Sequence, residues 1–174
     1  MDELTRLFVD ARDGDRLALA SAIRATQADV WRFAAGLVGR ADADDVTQDV
    51  YLRMFRSLPR FRAESSARTW LLVIARRACV DVLRRRSREQ RRASAIGADG
   101  RELAVAGPDG SVPLDAMVGA LARERRDAFV LTQMLGCSYS EAAAICDVPV
   151  GTIRSRVARA REDLVSALGT AEAV

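Results

Sequence analysis

The amino-acid sequence predicts an all-α protein of two helical domains joined by a flexible linker, and three observations carry that prediction. Apolar residues recur at helical spacing along nearly the whole chain, and no convincing β-branched alternation interrupts them. Residues 89–111 hold Gly97, Gly100, Gly107, Pro108 and Gly110 among small side chains, a composition suited to a flexible connection. Charge divides at the same place. Residues 1–95 carry 19 Arg and 13 acids, a net of +6, whereas residues 96–174 carry 8 Arg and 11 acids, a net of −3. A length of 174 residues with 49% apolar composition suffices for two small cores. The chain therefore divides into a first domain at 1–88, the linker at 89–111, a second domain at 112–168 and a tail at 169–174.

In the first domain the apolar pattern predicts helices near 2–13, 15–25, 27–39, 42–58 and 66–88. The helix over 42–58 buries Val46, Val50, Tyr51, Met54 and Leu58 on one side. Its other side shows Asp45, Gln48, Asp49, Leu52 and Arg56. A Leu centred among polar groups suits an interface anchor, and equally an isolated exposed side chain. The helix over 66–88 turns Leu71, Ile74, Ala75, Ala78 and Val82 inward, with Arg76, Arg77 and Arg84 on the far side. Residues 76–92 alone hold 8 Arg against Asp81 and Glu89. A run this dense favours nucleic-acid contact over a solvated face or a basic arm. Val73 and Val80 share the arginine face, which implies that something other than phosphate covers part of it. The polar loop ahead of this helix offers Ser65 or Ser66 as its cap. Phe61 and Trp70 are read as core residues, with base stacking as the alternative.

In the second domain helices are expected near 113–122, 124–135, 139–146 and 150–168. Ser138 and Glu141 have the spacing of a capping box, and Ala142, Ala143 and Ala144 allow close helix crossing. Residues 146–149 make a turn, with Pro149 at the next helix's start. On a helical wheel Ile153, Val157, Ala160 and Leu164 form one core-facing stripe. Gly151, Thr152, Ser155, Ala158, Arg159 and Glu162 lie opposite, flanked by Arg154 and Arg161 on one edge and Arg156 on the other. Small residues facing the bases and long cations reaching both phosphate walls are what a major-groove helix needs. With no Asn in the chain and no Gln in this helix, base contacts fall to Arg154, Ser155 and Arg159, which favour guanine.

What is missing narrows the function. All 27 basic residues are Arg, and the chain has no Lys, His or Asn. Without His the Ser-His-Asp and Cys-His arrangements are excluded, and no Walker loop or dinucleotide fingerprint occurs. Cys79, Cys137 and Cys146 fit neither a disulfide framework nor a Cys-rich metal site and read as small buried side chains. The acidic N-terminus lacks a signal-peptide core, and the longest uncharged run, 128–140, is 13 residues against the ~20 that span a bilayer. These features predict a soluble, cytoplasmic, non-enzymatic protein without a cofactor or metal.

Three segments resemble one family. Residues 139–164, YSEAAAICDVPVGTIRSRVARAREDL, are similar to region 4.2 of the bacterial extracytoplasmic-function (ECF) sigma factors of the sigma-70 family. Residues 43–55, ADDVTQDVYLRMF, resemble their region 2.2, and residues 61–86, FRAESSARTWLLVIARRACVDVLRRR, their regions 2.3 and 2.4. The resemblance implies a subunit that binds core RNA polymerase, selects promoters and begins their melting. It implies a polymerase-binding face at Asp45, Gln48, Asp49, Leu52 and Arg56, docked on the β′ clamp helices. It places Arg60, Arg62, Ser65, Ser66 and Arg68 around a flipped base of the single-stranded −10 element, with Arg76, Arg77, Asp81, Arg84 and Arg85 along the strand. Duplex contacts at −35 fall to Thr152, Arg154, Ser155, Arg156, Arg159 and Arg161, and the second domain is also expected on the β flap. Relatives often carry Asn where this chain has Arg77, so the −10 sequence does not carry over. Anti-sigma factors, which in the family sit between the two domains, are a further candidate partner. The alternative is a stand-alone helix-turn-helix regulator that binds an operator as a dimer.

Overall fold

Asp2 starts the first helix: its carboxylate accepts from Thr5 N at 2.9 Å and from Thr5 Oγ1 at 2.6 Å. The computed structural model describes residues 1–95 and 114–171. Helix α1 spans Glu3–Arg12. The Thr5 hydroxyl also accepts from Ala67 N at 2.9 Å, pinning the start of α1 to the start of α4. Helix α2, Arg16–Val38, is capped by Asp15 and runs unbroken where the pattern suggested two helices. The polar stretch around Thr26 supports the helix instead of ending it. Its hydroxyl donates to Ala22 O at 2.8 Å and lies 2.9 Å from the Tyr51 hydroxyl.

Gly39, at φ +91, allows the abrupt change of direction into α3, Arg40–Ser57. A 3₁₀ turn, Leu58–Arg60, follows. Helix α4, Ala67–Ala95, begins on Ser66, whose Oγ accepts from Thr69 N at 3.1 Å. The linker was expected to begin at 89, yet α4 continues to Ala95. Arg, Glu and Gln are good helix formers, Arg85 lies 3.9 Å from Glu89 one turn on, and no glycine interrupts before Gly97. The rest of the expected linker lies outside the described residues.

The second domain comprises α5 (Leu114–Ala120), α6 (Arg123–Phe129), α7 (Tyr139–Cys146) and α8 (Val150–Ala171). The helix expected at 124–135 changes to a π-helical turn over Val130–Met134. Helix α8 continues into the expected tail, of which 172–174 lie outside the described residues. Among the described residues there are helices and no strands.

Phe8, Phe33, Leu37, Met54, Leu71 and Leu72 are fully buried in the first domain, and Leu131 and Ile153 in the second. Phe61 is core as expected. Its ring centroid lies 4.7 Å from that of half-buried Trp70, and both pack on Phe8. Val82, expected inward, is half-buried, while Leu72 and Cys79 join the buried face.

The two domains do not stand apart. One buried cluster continues from Phe8 across to Ile153 and Val157. At the seam, α2 meets α5, α6 and the π turn, and α4 meets α7. Close approach depends on Gly36, where a Cβ would come within 2.9 Å of Val130 Cγ1.

Candidate functional site

Helix α8 presents the face that its wheel predicts. Ile153, Val157, Ala160 and Leu164 are buried. Arg154, Ser155, Arg159 and Arg161 are exposed, and Thr152 and Arg156 half-buried. The turn before it is built locally. Ser138 Oγ accepts from Glu141 N at 3.2 Å while Ser138 N donates to Glu141 Oε2 at 2.8 Å, completing the capping box. The Ser138 side-chain and backbone hydrogen bonds hold the Glu141 carboxyl below its ordinary range. Asp147, in the left-handed region at φ 55, then turns the chain into α8. Of the six residues assigned to duplex contact, Arg161 is engaged elsewhere, donating to Gln133 Oε1 at 2.7 Å.

The residues expected to hold a single strand are not gathered in one open groove. Phe61 anchors the loop in the core, and its carbonyl accepts from Arg12 Nη1 at 3.0 Å. Ala63 lies at φ 55, a conformation uncommon for a side chain, which turns the loop outward. Arg60, Arg62 and Ser65 are exposed on it, with Arg62 3.8 Å from Glu64. Ser66 is committed to capping α4. Arg77, Arg84 and Arg85 are exposed, and Asp81 is held by Arg53 at 2.7 Å.

Arg68 and Arg76 lie instead in the seam between domains. Arg68 pairs with Asp29 at 2.8 Å and donates to Leu135 O at 2.6 Å. Burial disfavours its charge, but the Asp29 hydrogen bond together with the negative charge around it outweighs burial and raises its pKa. Arg76 Nε pairs at 2.8 Å with Asp127, whose side chain is only 1% exposed. Burial raises the Asp127 pKa despite the Arg76 charge, and its Oδ1 has no hydrogen-bond partner among the described residues. Val73 and Val80 flank Arg76 at i−3 and i+4, half-buried and buried respectively. The second domain meets this stretch of α4 through Asp127 and α7, and Val73 packs on the shared cluster.

Asp127 escaped the sequence reading. Its signal was position: it stands three and four residues before Val130 and Leu131 on the apolar stripe, where an unpaired acid is costly. Phe55 escaped as well. On α3, Asp45, Gln48 and Arg56 are exposed as expected, and Leu52 is 51% exposed. Phe55, one turn on, is 41% exposed, so two large apolar side chains stand in solvent on this face. Its signal was the i+3 spacing from Leu52. Asp49 is partly neutralised by Arg53 at 2.9 Å.

The sigma-70 region 2 model matches residues 22–89 and the sigma-70 region 4 model matches residues 111–164. The chain is 45% identical to the ECF RNA polymerase sigma factor SigC of Mycobacterium tuberculosis, over 95% of this chain and 91% of that protein. The chain belongs to the ECF RNA polymerase sigma factors. The ECF RNA polymerase sigma-E factor of Escherichia coli is 32% identical over 86% of this chain and 85% of its own length. Among solved structures, RpoE from Bartonella quintana, in complex with the anti-sigma factor NepR, has a TM-score of 0.73 at 29% identity. That match covers 87% of this chain and 96% of that one. CnrH in complex with the cytosolic domain of CnrY gives 0.75 at 26% identity, over 97% and 99%. Two sigma regions in this order set aside the stand-alone operator regulator. No described helix of this sigma factor is long and apolar enough to cross a membrane.

Proposed function

We propose that this sigma factor holds core RNA polymerase through the α3 face centred on Leu52 and Phe55, reads the −35 duplex with α8, and captures the −10 strand with the 60–66 loop and α4. The packed domains are its resting arrangement. In that arrangement α8 is open toward duplex while the Arg68–Arg76 stretch of α4 is engaged by the second domain. Polymerase binding separates the domains and frees those guanidinium groups for phosphate. The chain contains no nucleotide-hydrolysis motif, so strand opening draws on binding energy, with cations along the displaced strand and a loop pocket for an unstacked base. The protein works in the cytoplasm and catalyses no step itself. An anti-sigma factor is a further partner, supported by the two structural relatives that hold one.

The observation that carries this reading is the Arg76–Asp127 pair, in which a carboxylate occupies a guanidinium suited to phosphate. Gel shifts on promoter DNA, with and without core polymerase, test it. A specific complex is expected only when core is present. Binding by the chain alone, unaffected by core, overturns the reading. Within that assay Leu52→Asp lowers core affinity at least tenfold while the circular dichroism spectrum stays unchanged. Full affinity in that variant removes α3 from the interface.

A further inference from the structure

The far end of α4 carries a second group of cations that the seam does not use. Arg84, Ser87, Arg88 and Arg91 share one side of the helix, and Arg123, the first residue of α6, faces them from the second domain. Together with Leu83 they line a cleft of about 490 Å³. That size falls within the roughly 300–1,000 Å³ typical of small-molecule sites. Elsewhere on the helix Arg76, Arg85 and Arg86 are paired with Asp127, Glu89 and Asp42. Arg84, Arg88, Arg91 and Arg123 have no ion pair among the described residues, and Arg123 Nε is buried without an acceptor.

Four like charges brought together from two domains repel one another, Asp127 easing only Arg123, and a multivalent anion would relieve the rest. Guanidinium forks match phosphate oxygens two at a time. Among the described residues the cleft has no aromatic ring on which a base could stack, no carboxamide to read one and no carboxylate for a ribose. Its chemistry selects for charge alone. The geometry points to a binding site for a compact inorganic polyphosphate, pyrophosphate or triphosphate, bridging Arg84, Arg88 and Arg91 of the first domain to Arg123 of the second. Arg123 belongs to the site only while the domains are packed. The anion therefore binds the packed form better and by linkage holds it packed. A phosphodiester strand running along α4 would use the helix arginines and have no need of Arg123.

The test requires neither polymerase nor promoter, so its outcome is separate from the roles assigned to α3 and α8. Pyrophosphate and triphosphate are titrated calorimetrically into the full chain at constant ionic strength, with sulfate as reference. One site is expected, at least tenfold tighter than sulfate. Arg123→Ala and Arg88→Ala each weaken it at least tenfold, and Arg24→Ala on α2 leaves it unchanged. Arg88 is exposed on the helix, so that variant keeps the fold. If Arg123→Ala fails to fold, Arg123→Lys, which retains charge but loses the fork, is expected to weaken binding several-fold. Affinity no better than sulfate overturns the site. So does wild-type affinity in the Arg123 variant, which assigns the anion to the α4 stripe alone, as strand phosphates would have it.

Discussion

Helices α4 and α8 look alike in the sequence, each an amphipathic helix with apolar residues on one side and arginines on the other. The structure treats them differently. Helix α8 leaves Arg154 and Arg159 in solvent, whereas α4 turns Arg76 onto a buried carboxylate and Arg68 onto the carbonyl of Leu135. The difference is written in the neighbours. Around the exposed arginines of α8 stand Gly151, Ser155 and Ala158, which need no cover. Around Arg76 stand Val73 and Val80, which do. What an arginine does on a helix depends on the side chains three and four residues away.

The strongest way to break this contrast is Arg76→Ala. It strands Asp127 in the seam, and removing one partner of a buried pair costs about 3–5 kcal/mol unless the site opens to water. The domains should part, seen as a larger radius of gyration in small-angle scattering. Replacing both members by Leu should keep the molecule compact, because an apolar pair of similar volume is often neutral or stabilising. A compact Arg76→Ala variant would show that the pair does not hold the seam.

Gly36→Leu comes next. Even a Cβ there meets Val130 Cγ1 at 2.9 Å, and the β-branched Val130 has little rotamer freedom to yield. Overpacking of this kind costs about 1–3 kcal/mol. Leu is a better helix former than Gly, so α2 itself should not suffer. The expected result is a shifted opening equilibrium and stronger binding of −10 single strand by the free chain. Unchanged scattering together with unchanged strand binding would remove Gly36 from the account.

The smallest effect concerns α7 alone. Because hydrogen bonds hold the Glu141 carboxyl low, its contribution is present above the ordinary glutamate range and is lost as pH falls through the lowered value. Glu141→Gln should lower the melting temperature by a few degrees at neutral pH and flatten the acid limb of the stability curve. An acid limb as steep as that of the parent chain would locate the titration elsewhere.

Much of this molecule was legible before its coordinates. The capping box, the wheel of α8, the core role of Phe61 and the burial of Val73 and Val80 all follow from spacing and residue type. Spacing is local, and local rules could not show what met across the seam. Asp127 sits in a segment rich in Arg and Glu, where an acid looks solvated until the partner surface is known. Gly36 looks like any helical glycine until Val130 is placed against it. The run past residue 88 was missed for a different reason. Residues 89–95 were grouped with a glycine-rich stretch whose first glycine is Gly97, although the arginines among them favour helix.

The three cysteines gain a use from these surroundings. Burial pushes the Cys79 thiol up to about 12 and the Cys146 thiol to about 11, so neither supplies appreciable thiolate near neutrality. Cys137 is raised too, chiefly by burial, but it lies at the seam with Arg68 Nη1 3.6 Å from its sulfur. Parting the domains wets Cys137, which the seam covers beside Arg68. The rate of alkylation at Cys137 is thus a clock within the chain, recording how often the molecule opens.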